Sequence, residues 1–291
     1  MNSKVAVQVP ASRAMRQTLL GELGNEIMSA ADTSTPELAI GRPSFNVTGV
    51  RVDAVTMQEA ISRLKGWIGD GRHSEYVAVT GMHGISVALK DPHFREILRQ
   101  AGLVVPDGMP LVWLARWHTR PLRHRVTGSE LMETFCRETG SKYRHFFYGG
   151  APGVAEDLAR VLQQRYGIGV AGVYVPPFRP LTQDEERELE DAVKLAAPDI
   201  LWVGLSTPKQ ECWMHAHRNT LRVPVMLGVG AAFDMNSGKL KRAPLWMQCA
   251  GLEWFYRLAV EPRRLWRRYL IAIPGAVCQV ILELIHVTDY D

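Results

Sequence analysis

Through most of this 291-residue chain, short apolar runs alternate with segments of helical periodicity. Residues 76–80, 103–106 and 200–203 are such runs, and each is followed by a glycine or an aspartate. Strands of a parallel sheet are covered by helices on both faces, so they are apolar on both sides, and a helical crossover joins one to the next. The alternation therefore predicts an α/β fold in which helices flank a parallel sheet.

Periodicity and composition divide the chain into three parts. Residues 1–43 are rich in small and polar residues and lack clear periodicity, which favours a variable N-terminal arm; a short helix over 12–30 lying on the core is the alternative. The alternating pattern occupies 44–245 and begins with a strand predicted over 45–52. In 246–291 the strands stop and the sequence becomes helical, aromatic and basic, which predicts a C-terminal appendage.

Composition and cysteine usage favour a reduced, cytosolic protein. The chain is 46% hydrophobic and 22% charged, as globular proteins are. Its cysteines are far apart and form no CxxC pair. Charged residues interrupt the first apolar segment, so no secretory signal is predicted. The four cysteines are Cys136, Cys212, Cys249 and Cys278.

No run of about 20 uninterrupted apolar residues is present, so we expect no segment that spans a bilayer. The nearest candidate, residues 270–287, is interrupted by Pro274, Gln279, Glu283 and His286. Any membrane contact is therefore expected at the membrane surface.

Polar or glycine-rich turns follow five of the predicted strands. The carboxyl ends of parallel strands lie at one edge of the sheet, where α/β folds bind their ligands. We therefore expect these turns to line one cleft. They contain Thr80, Asp107, the pair Gly149 and Gly150, the stretch 204–211, and the stretch 228–234.

Two of the turns, at 148–153 and 228–230, are rich in glycine and precede helices. Backbone N–H groups at a helix N-terminus suit a diphosphate. Neither turn is a GxGxxG or a Walker motif, so a plain turn between strand and helix has about equal weight.

Four side chains in this cleft each allow a chemical and a structural interpretation. Asp107 suits a general base, or it caps the helix predicted over 109–117. Thr80 binds substrate or closes its turn. Arg125 clamps a phosphate or lies at the surface. Lys209 serves a phosphate or sits in a solvated first helical turn.

Candidate metal ligands are sparse. His215 and His217 form an H-x-H pair with no third ligand spaced nearby, so structural or solvent-exposed histidines are expected. The stretch Asp289-Tyr290-Asp291 matches a D-x-D pattern, but its position beside the last residue favours chance. The sequence predicts neither a metal site nor a cofactor.

Positive charge is concentrated near the end of the chain. Residues 238–270 contain eight Lys or Arg and two Glu, a net +6, although the whole chain is only +4. On a helical projection Arg263, Arg264, Arg267 and Arg268 share one face opposite an apolar, aromatic one, which is typical of a helix lying on an anionic membrane.

Two alternatives to membrane binding remain open for this helix: its apolar face packs on the core, or its arginines reach into the cleft and bind a diphosphate. Nucleic acid is disfavoured because no base-reading module accompanies the charge.

Several motifs together resemble the WecG/TagA/CpsF glycosyltransferases, in order from about residue 44 to 269. The resemblance rests on 104–108 (VVPDG), 125–131 (RVTGSEL), 147–153 (FYGGAPG), 198–204 (PDILWVG), 208–211 (PKQE), 228–234 (GVGAAFD), 241–244 (KRAP), 251–254 (GLEW) and 261–264 (EPRR).

The resemblance implies a Rossmann-like domain and an inverting, metal-independent enzyme of cell-surface polysaccharide synthesis, including exopolysaccharides. Such enzymes transfer a sugar from a UDP-sugar, often UDP-N-acetylmannosamine or its uronic acid, to an undecaprenyl-diphosphate-linked saccharide. They act as peripheral proteins on the cytoplasmic face of the plasma membrane.

A non-catalytic nucleotide-sugar or lipid-diphosphate binder on the same fold is the alternative function, and a dehydrogenase is disfavoured by the missing dinucleotide fingerprint. The oligomeric state, including a homo-oligomer, stays open.

The resemblance also implies roles for individual residues. Asp107 matches the family's proposed general base, and Thr80 and Arg125 match other catalytic positions. The nucleotide-sugar is expected to contact Gly149, Gly150, Lys209, Gln210, Glu211, Gly228, Gly230 and Asp234. The acceptor diphosphate or the membrane is expected to contact Arg257, Arg263, Arg264, Arg267 and Arg268.

One motif departs from the family pattern. Where the family usually reads T-P-N-P-E, this chain has Thr80-Gly81-Met82-His83-Gly84, so Met82 replaces the asparagine. If that asparagine reads N-acetylmannosamine, the donor here would differ, and a UDP-hexose such as UDP-glucose becomes a candidate.

Overall fold

The computed structural model of the chain describes residues 43–71, 74–118 and 122–284. The predicted N-terminal arm, apart from its last residue, and the D-x-D match lie outside the described residues.

Within these residues, eight strands lie in two sheets. They are β1 (Ser44–Val47), β2 (Val50–Asp53), β3 (Glu75–Thr80), β4 (Leu103–Pro106), β5 (Arg144–Gly149), β6 (Gly169–Tyr174), β7 (Ile200–Gly204) and β8 (Val225–Gly228). Strands β3 to β8 form one parallel sheet in the order β4-β3-β8-β7-β5-β6, and β1 pairs with β2 in an antiparallel hairpin. The predicted parallel α/β fold is confirmed.

Helices connect the strands and cover both faces of the large sheet. Those of the α/β part are α1 (Met57–Asp70), α2 (Met82–Ala88), α3 (Pro92–Arg99), α4 (Met109–Trp117), α5 (Gly128–Thr139), α6 (Val154–Tyr166), α7 (Gln183–Ala196), α8 (Lys209–Leu221) and α9 (Ala232–Asn236). Two hydrophobic clusters, one on each face of the sheet, form the core.

The helix boundaries follow local signals in the sequence. Thr56 and Glu59 form a capping box in which each side chain accepts a hydrogen bond from the other residue's backbone N–H. Thr182 and Glu185 repeat that arrangement before α7. Helix α1 ends at Gly71, whose φ of 62° is the left-handed conformation that glycine adopts most easily.

After α9 and a loop over 237–244, the chain is mainly helical to the end of the described residues. Its helices are α10 (Leu245–Cys249), α11 (Glu253–Val260), α12 (Pro262–Arg267) and α13 (Ile273–Leu284), with a π-helical turn at Arg268–Ala272 between the last two. The predicted helical appendage is therefore present.

The strand predicted over 45–52 is wrong, because the structure has the β1–β2 hairpin there. Thr48 and Gly49 both have positive φ, 52° and 81°, which is the geometry of a two-residue hairpin turn whose twist matches its strands. The sequence prediction treated this pair as part of a continuous strand.

The hairpin protects the edge strand β4. The buried Asp53 accepts a hydrogen bond from the backbone N–H of Val104 at 2.8 Å, and it receives a longer contact of 3.5 Å from Arg51. An exposed sheet edge invites pairing with other chains, so this contact both satisfies a donor and covers the edge.

We expect Asp53→Ala to lower the free energy of unfolding by about 1–3 kcal/mol, because the Val104 N–H would stay buried without a partner. Urea unfolding followed by circular dichroism measures this change. Arg51→Ala is the matched control, since Arg51 is partly exposed and its removal should change stability by less than about 1 kcal/mol. Equal effects of the two substitutions would contradict this role for Asp53.

Candidate active site

The carboxyl ends of the parallel strands bring the predicted site residues to one edge of the sheet. Thr80 at the end of β3 is level with Pro106 at the end of β4, and Gly149 at the end of β5 is level with Gly204 at the end of β7. Strand β8 ends at Gly228 between β3 and β7. The predicted common edge is thus present.

Close backbone contacts hold Thr80, Asp107 and Arg125 together. The N–H of Asp107 donates to the carbonyl of Thr80 at 2.8 Å, and the N–H of Val126 donates to Pro106 at 3.1 Å. A β-carbon at Gly81 would lie only 2.5 Å from the carbonyl oxygen of Asp107. A side chain at position 81 would therefore push the two strand ends apart.

Asp107 lies in an environment that suits a general base. Burial raises the pKa of Asp107 to about 6, and Glu253 acts in the same direction, whereas Arg125, Arg257 and Arg268 lower it. A carboxylate with this pKa is mostly ionised at neutral pH and still accepts a proton readily, as general bases must. Asp107 does not cap α4, since no side chain caps that helix.

Arg125 forms an ion pair with Glu253, the first residue of α11. Both side chains are almost buried, with 13% and 12% of their surface exposed. A surface position for Arg125 is therefore wrong. The pair also connects the α/β part to the appendage directly beside Asp107.

The appendage arginines divide into two groups. Arg257 and Arg268 are half-buried, and both are near enough to Asp107 to lower its pKa. Arg263, Arg264 and Arg267 are exposed. The predicted exposed face holds for these three, whereas Arg268 lies one helical turn after the buried Leu265, at the border of that face, and is therefore half-buried.

The stretch after β7 also divides into exposed and buried side chains. Lys209 is exposed, whereas Gln210 and Glu211 are buried. Glu211 Oε1 accepts hydrogen bonds from Thr207 at 2.8 Å and from Gln210 at 3.0 Å, and burial raises the pKa of Glu211.

Several polar atoms around the middle of this edge are buried and find no hydrogen-bond partner among the described residues. Buried polar atoms in folded proteins nearly always have partners, so a group of exceptions favours a ligand at that place. They are Thr80 Oγ1, His83 Nδ1, Gln210 Oε1, Glu211 Oε2, Arg257 Nε and Arg268 Nε.

The glycine turns have a packing reason that requires no ligand. A β-carbon at Gly149 would lie 2.8 Å from the backbone of Gly204, and one at Gly204 would lie 2.9 Å from the ring of Phe233. At Gly228 it would lie 2.8 Å from Met214. Diphosphate binding at these turns, and roles for Gly150, Gly230 and Asp234, stay predictions.

The turns lie at different distances from Asp107. Asp107 directly follows β4, so distances are counted from that strand. In the sheet β8 lies two strands from β4 and β5 lies four. At about 4.8 Å per strand, the Gly228 turn is roughly 10 Å from Asp107 and the Gly149 turn roughly 19 Å. Only an elongated ligand could contact Asp107 and Gly149 together.

Two residues of the site were not singled out from the sequence. Glu253 is one of only two acidic residues in the basic stretch 238–270, and that isolation could have indicated an ion pair such as the one with Arg125. His83 lies next to the altered family position, and burial lowers its pKa to about 4, with Arg268 acting in the same direction. No sequence signal pointed to the burial of His83.

Among the described residues no group of three or more His, Cys, Asp or Glu is arranged to hold a metal ion. His215 lies 3.3 Å from the hydroxyl of Tyr76, and the ring of His217 stacks on Trp213 at 4.5 Å. Both histidines therefore have structural contacts.

One helical stretch, Pro262–Glu283, is long and apolar enough to cross a membrane by length and composition, although no such segment was expected from the sequence. Its far end packs on the α/β part, whereas only 17% of its most apolar window is buried. Ala276 and Val280 are buried in the core, and Glu283 accepts a hydrogen bond from the N–H of Thr48 at 2.9 Å. The core-packing alternative therefore holds for Leu265 and for the far end of the stretch, whereas Trp266 and Leu270 of the basic helix are exposed.

Comparison with known proteins identifies the family of the chain. Residues 45–289 match the model of the glycosyl transferase WecG/TagA/CpsF family. A Bacillus spizizenii protein named N-acetylglucosaminyldiphosphoundecaprenol N-acetyl-beta-D-mannosaminyltransferase is 34% identical over 196 residues, which cover 67% of this chain and 74% of the relative. A Staphylococcus aureus protein with the same name is 28% identical over 230 residues, covering 78% of this chain and 89% of the relative.

Proposed function

Since this chain belongs to the WecG/TagA/CpsF family of glycosyltransferases, we propose that it transfers an N-acetylmannosaminyl-type sugar from a UDP-sugar to an undecaprenyl-diphosphate-linked saccharide at a membrane surface. The observation that carries the proposal is the ionisable Asp107, held beside three arginines at the ligand-binding edge of the sheet. The names of the relatives supply the acceptor and the transferred sugar.

Asp107 serves as the base in this proposal. Its carboxylate removes the proton from the acceptor hydroxyl while the hydroxyl oxygen attacks the anomeric carbon of the donor. The bond from that carbon to the diphosphate breaks, UDP leaves with the electron pair, and the configuration at the carbon is inverted. The raised pKa of Asp107 favours this step because a more basic carboxylate takes the proton more readily.

The arginines stabilise the leaving diphosphate. Arg125, Arg257 and Arg268 all act on Asp107, so their positive charges converge where the donor's reacting end would lie. Fixed positive charge aimed at a developing negative charge is a large source of catalysis, and here it would take the place of a metal ion.

The donor would extend along the edge of the sheet from Asp107 towards β7 and β5. Its sugar would then lie near Thr80, Gln210 and Glu211, whose unpartnered atoms offer hydrogen bonds to hydroxyl or amide groups. Its nucleotide would reach the Gly149 turn, roughly 19 Å from Asp107 by strand spacing.

The altered family motif gives little support to a different donor. Met82 is buried in the hydrophobic core, so it offers no group that would select a hexose. His83, the next residue, is the polar side chain that this stretch places beside Arg268. We therefore propose an N-acetylmannosaminyl donor, and the comparisons give UDP-glucose no support.

A donor screen tests the proposal. The purified chain is incubated with a synthetic lipid-diphosphate N-acetylglucosamine acceptor and with UDP-N-acetylmannosamine, UDP-N-acetylglucosamine or UDP-glucose in turn, and products are identified by mass spectrometry and by NMR of the new linkage. We expect transfer from UDP-N-acetylmannosamine with a β-linked product. Faster transfer from UDP-glucose would overturn the donor, and no transfer from any of the three would overturn the function.

A further inference from the structure

Five of the chain's eight tryptophans are strongly exposed, and all five lie on or near the appendage. We name them the aromatic surface: Trp113 and Trp117 on α4, Trp246 on α10, Trp254 on α11 and Trp266 on α12. Their exposed fractions run from 43% to 70%. Large exposed apolar patches on soluble proteins usually mark an interaction site.

A close approach joins Trp113 of α4 to the appendage. The turn between α10 and α11 lies so close to α4 that a β-carbon at Gly251 would be 3.7 Å from the ring of Trp113. Trp117 is one helical turn further along the same face of α4. On the other side, the ring of Trp254 lies 6.0 Å from that of Tyr269.

The sequence of α4 and its flanks carries charge of one sign, although Glu283 of the appendage lies near His118 at the end of the helix. From residue 108 to residue 129 the sequence contains four arginines and no aspartate or glutamate. Of these arginines, Arg116 and Arg123 are exposed, and the guanidinium of Arg116 donates to the carbonyls of Leu122 and Arg123. At the far side of the aromatic surface, the exposed Arg267 lies over the ring of Trp266 at 5.3 Å.

We propose that α4 of the α/β part, through Trp113, Trp117 and Arg116, together with Arg123 just after it, is a second membrane-binding element that inserts into the headgroup region of an anionic bilayer together with the appendage. This inference rests on the proposed function, in which the appendage contacts the membrane. What it adds is a membrane-binding surface outside the appendage. Tryptophan combines a large apolar ring with a polar N–H, which suits the boundary between lipid and water, and arginine beside it attracts anionic headgroups.

Membrane binding through α4 would set the orientation of the enzyme. Helix α4 begins two residues after Asp107. With α4 on the bilayer, the base would lie close to the headgroup layer, where the diphosphate of a lipid-linked acceptor is found.

The test measures binding of the full chain to vesicles without any substrate. Vesicles contain equal parts of phosphatidylglycerol and phosphatidylcholine, and binding is followed by cosedimentation. Trp113→Gln combined with Trp117→Gln should weaken binding by roughly tenfold or more, since two large apolar side chains no longer leave water. Arg123→Gln should weaken binding only when phosphatidylglycerol is present.

Leu195→Gln is the matched control, because Leu195 is 65% exposed in the last turn of α7, away from the aromatic surface, and its replacement should leave binding unchanged. If circular dichroism shows the double variant unfolded, Trp117→Gln alone decides, since Trp117 is 70% exposed.

Unchanged vesicle binding by a folded α4 variant overturns the proposal. If light scattering without lipid also shows a concentration-dependent dimer that the variant abolishes, the surface joins two copies of the chain instead. Because no substrate is present, these outcomes are independent of whether the donor screen succeeds.

Discussion

Asp107→Asn should lower turnover by roughly 10²–10⁴-fold, because asparagine cannot take the proton of the acceptor hydroxyl. UDP affinity, measured by calorimetry, should stay near that of the unsubstituted chain, since amide and carboxylate have nearly the same shape. The substitution should not weaken the fold. Burial raises the pKa of Asp107, which means that folding disfavours its ionised form, and a neutral amide avoids that cost above pH 6.

The pH profile gives a second measurement of the same residue. In the unsubstituted chain, kcat/KM should fall about tenfold per pH unit below the Asp107 pKa of about 6, because the base is then protonated. This acidic limb should be absent from the residual activity of Asp107→Asn. Asp184→Asn, an exposed residue of α7, is the control and should keep both the rate and the limb. An active Asp107→Asn enzyme with an unchanged profile would show that another group is the base.

Arg268→Gln should lower kcat by roughly 10²–10³-fold even with a water-soluble acceptor, because Arg268 directs its charge towards Asp107 and the leaving diphosphate. Its neighbour provides the contrast. Arg267 is exposed, so Arg267→Gln should leave turnover of a soluble acceptor nearly unchanged and weaken binding to anionic vesicles by roughly fivefold, the equivalent of about 1 kcal/mol per basic residue.

Steady-state kinetics with the soluble acceptor and vesicle cosedimentation, each done on both variants, separate these two roles. A similar loss of kcat in both variants would mean that the arginines do not divide into one that acts at the site and one that acts at the surface. A normal kcat for Arg268→Gln would remove that residue from the reaction.

The sequence was sufficient for features that depend on local patterns. The apolar runs 76–80, 103–106 and 200–203 located β3, β4 and β7 to within one residue, since a strand buried on both faces has few alternatives. The meeting of Thr80, Asp107 and the glycine turns at one edge follows from parallel topology alone.

Features that depend on backbone conformation or on distant partners were not accessible in this way. The Thr48-Gly49 turn requires positive φ at a threonine, which the sequence does not indicate. The half-burial of Arg268 depends on distant residues around it, such as Asp107 and Glu211, which a helical projection does not include. The order of the strands separates the Gly149 turn from Asp107, and strand order is not encoded in the apolar runs.

The far end of the long helix has a consequence for how its membrane role can be studied. Glu283 of this helix accepts a hydrogen bond from Thr48 in the turn of the β1–β2 hairpin. The hairpin in turn covers β4, the strand that leads to Asp107. A chain shortened after residue 245 would therefore lose a brace of the catalytic half together with its lipid contacts. Loss of activity in such a chain could come from destabilised β4 or from lost membrane binding, and activity alone would not distinguish the two. Single substitutions on the exposed face of the helix change membrane binding without removing the contact to the hairpin.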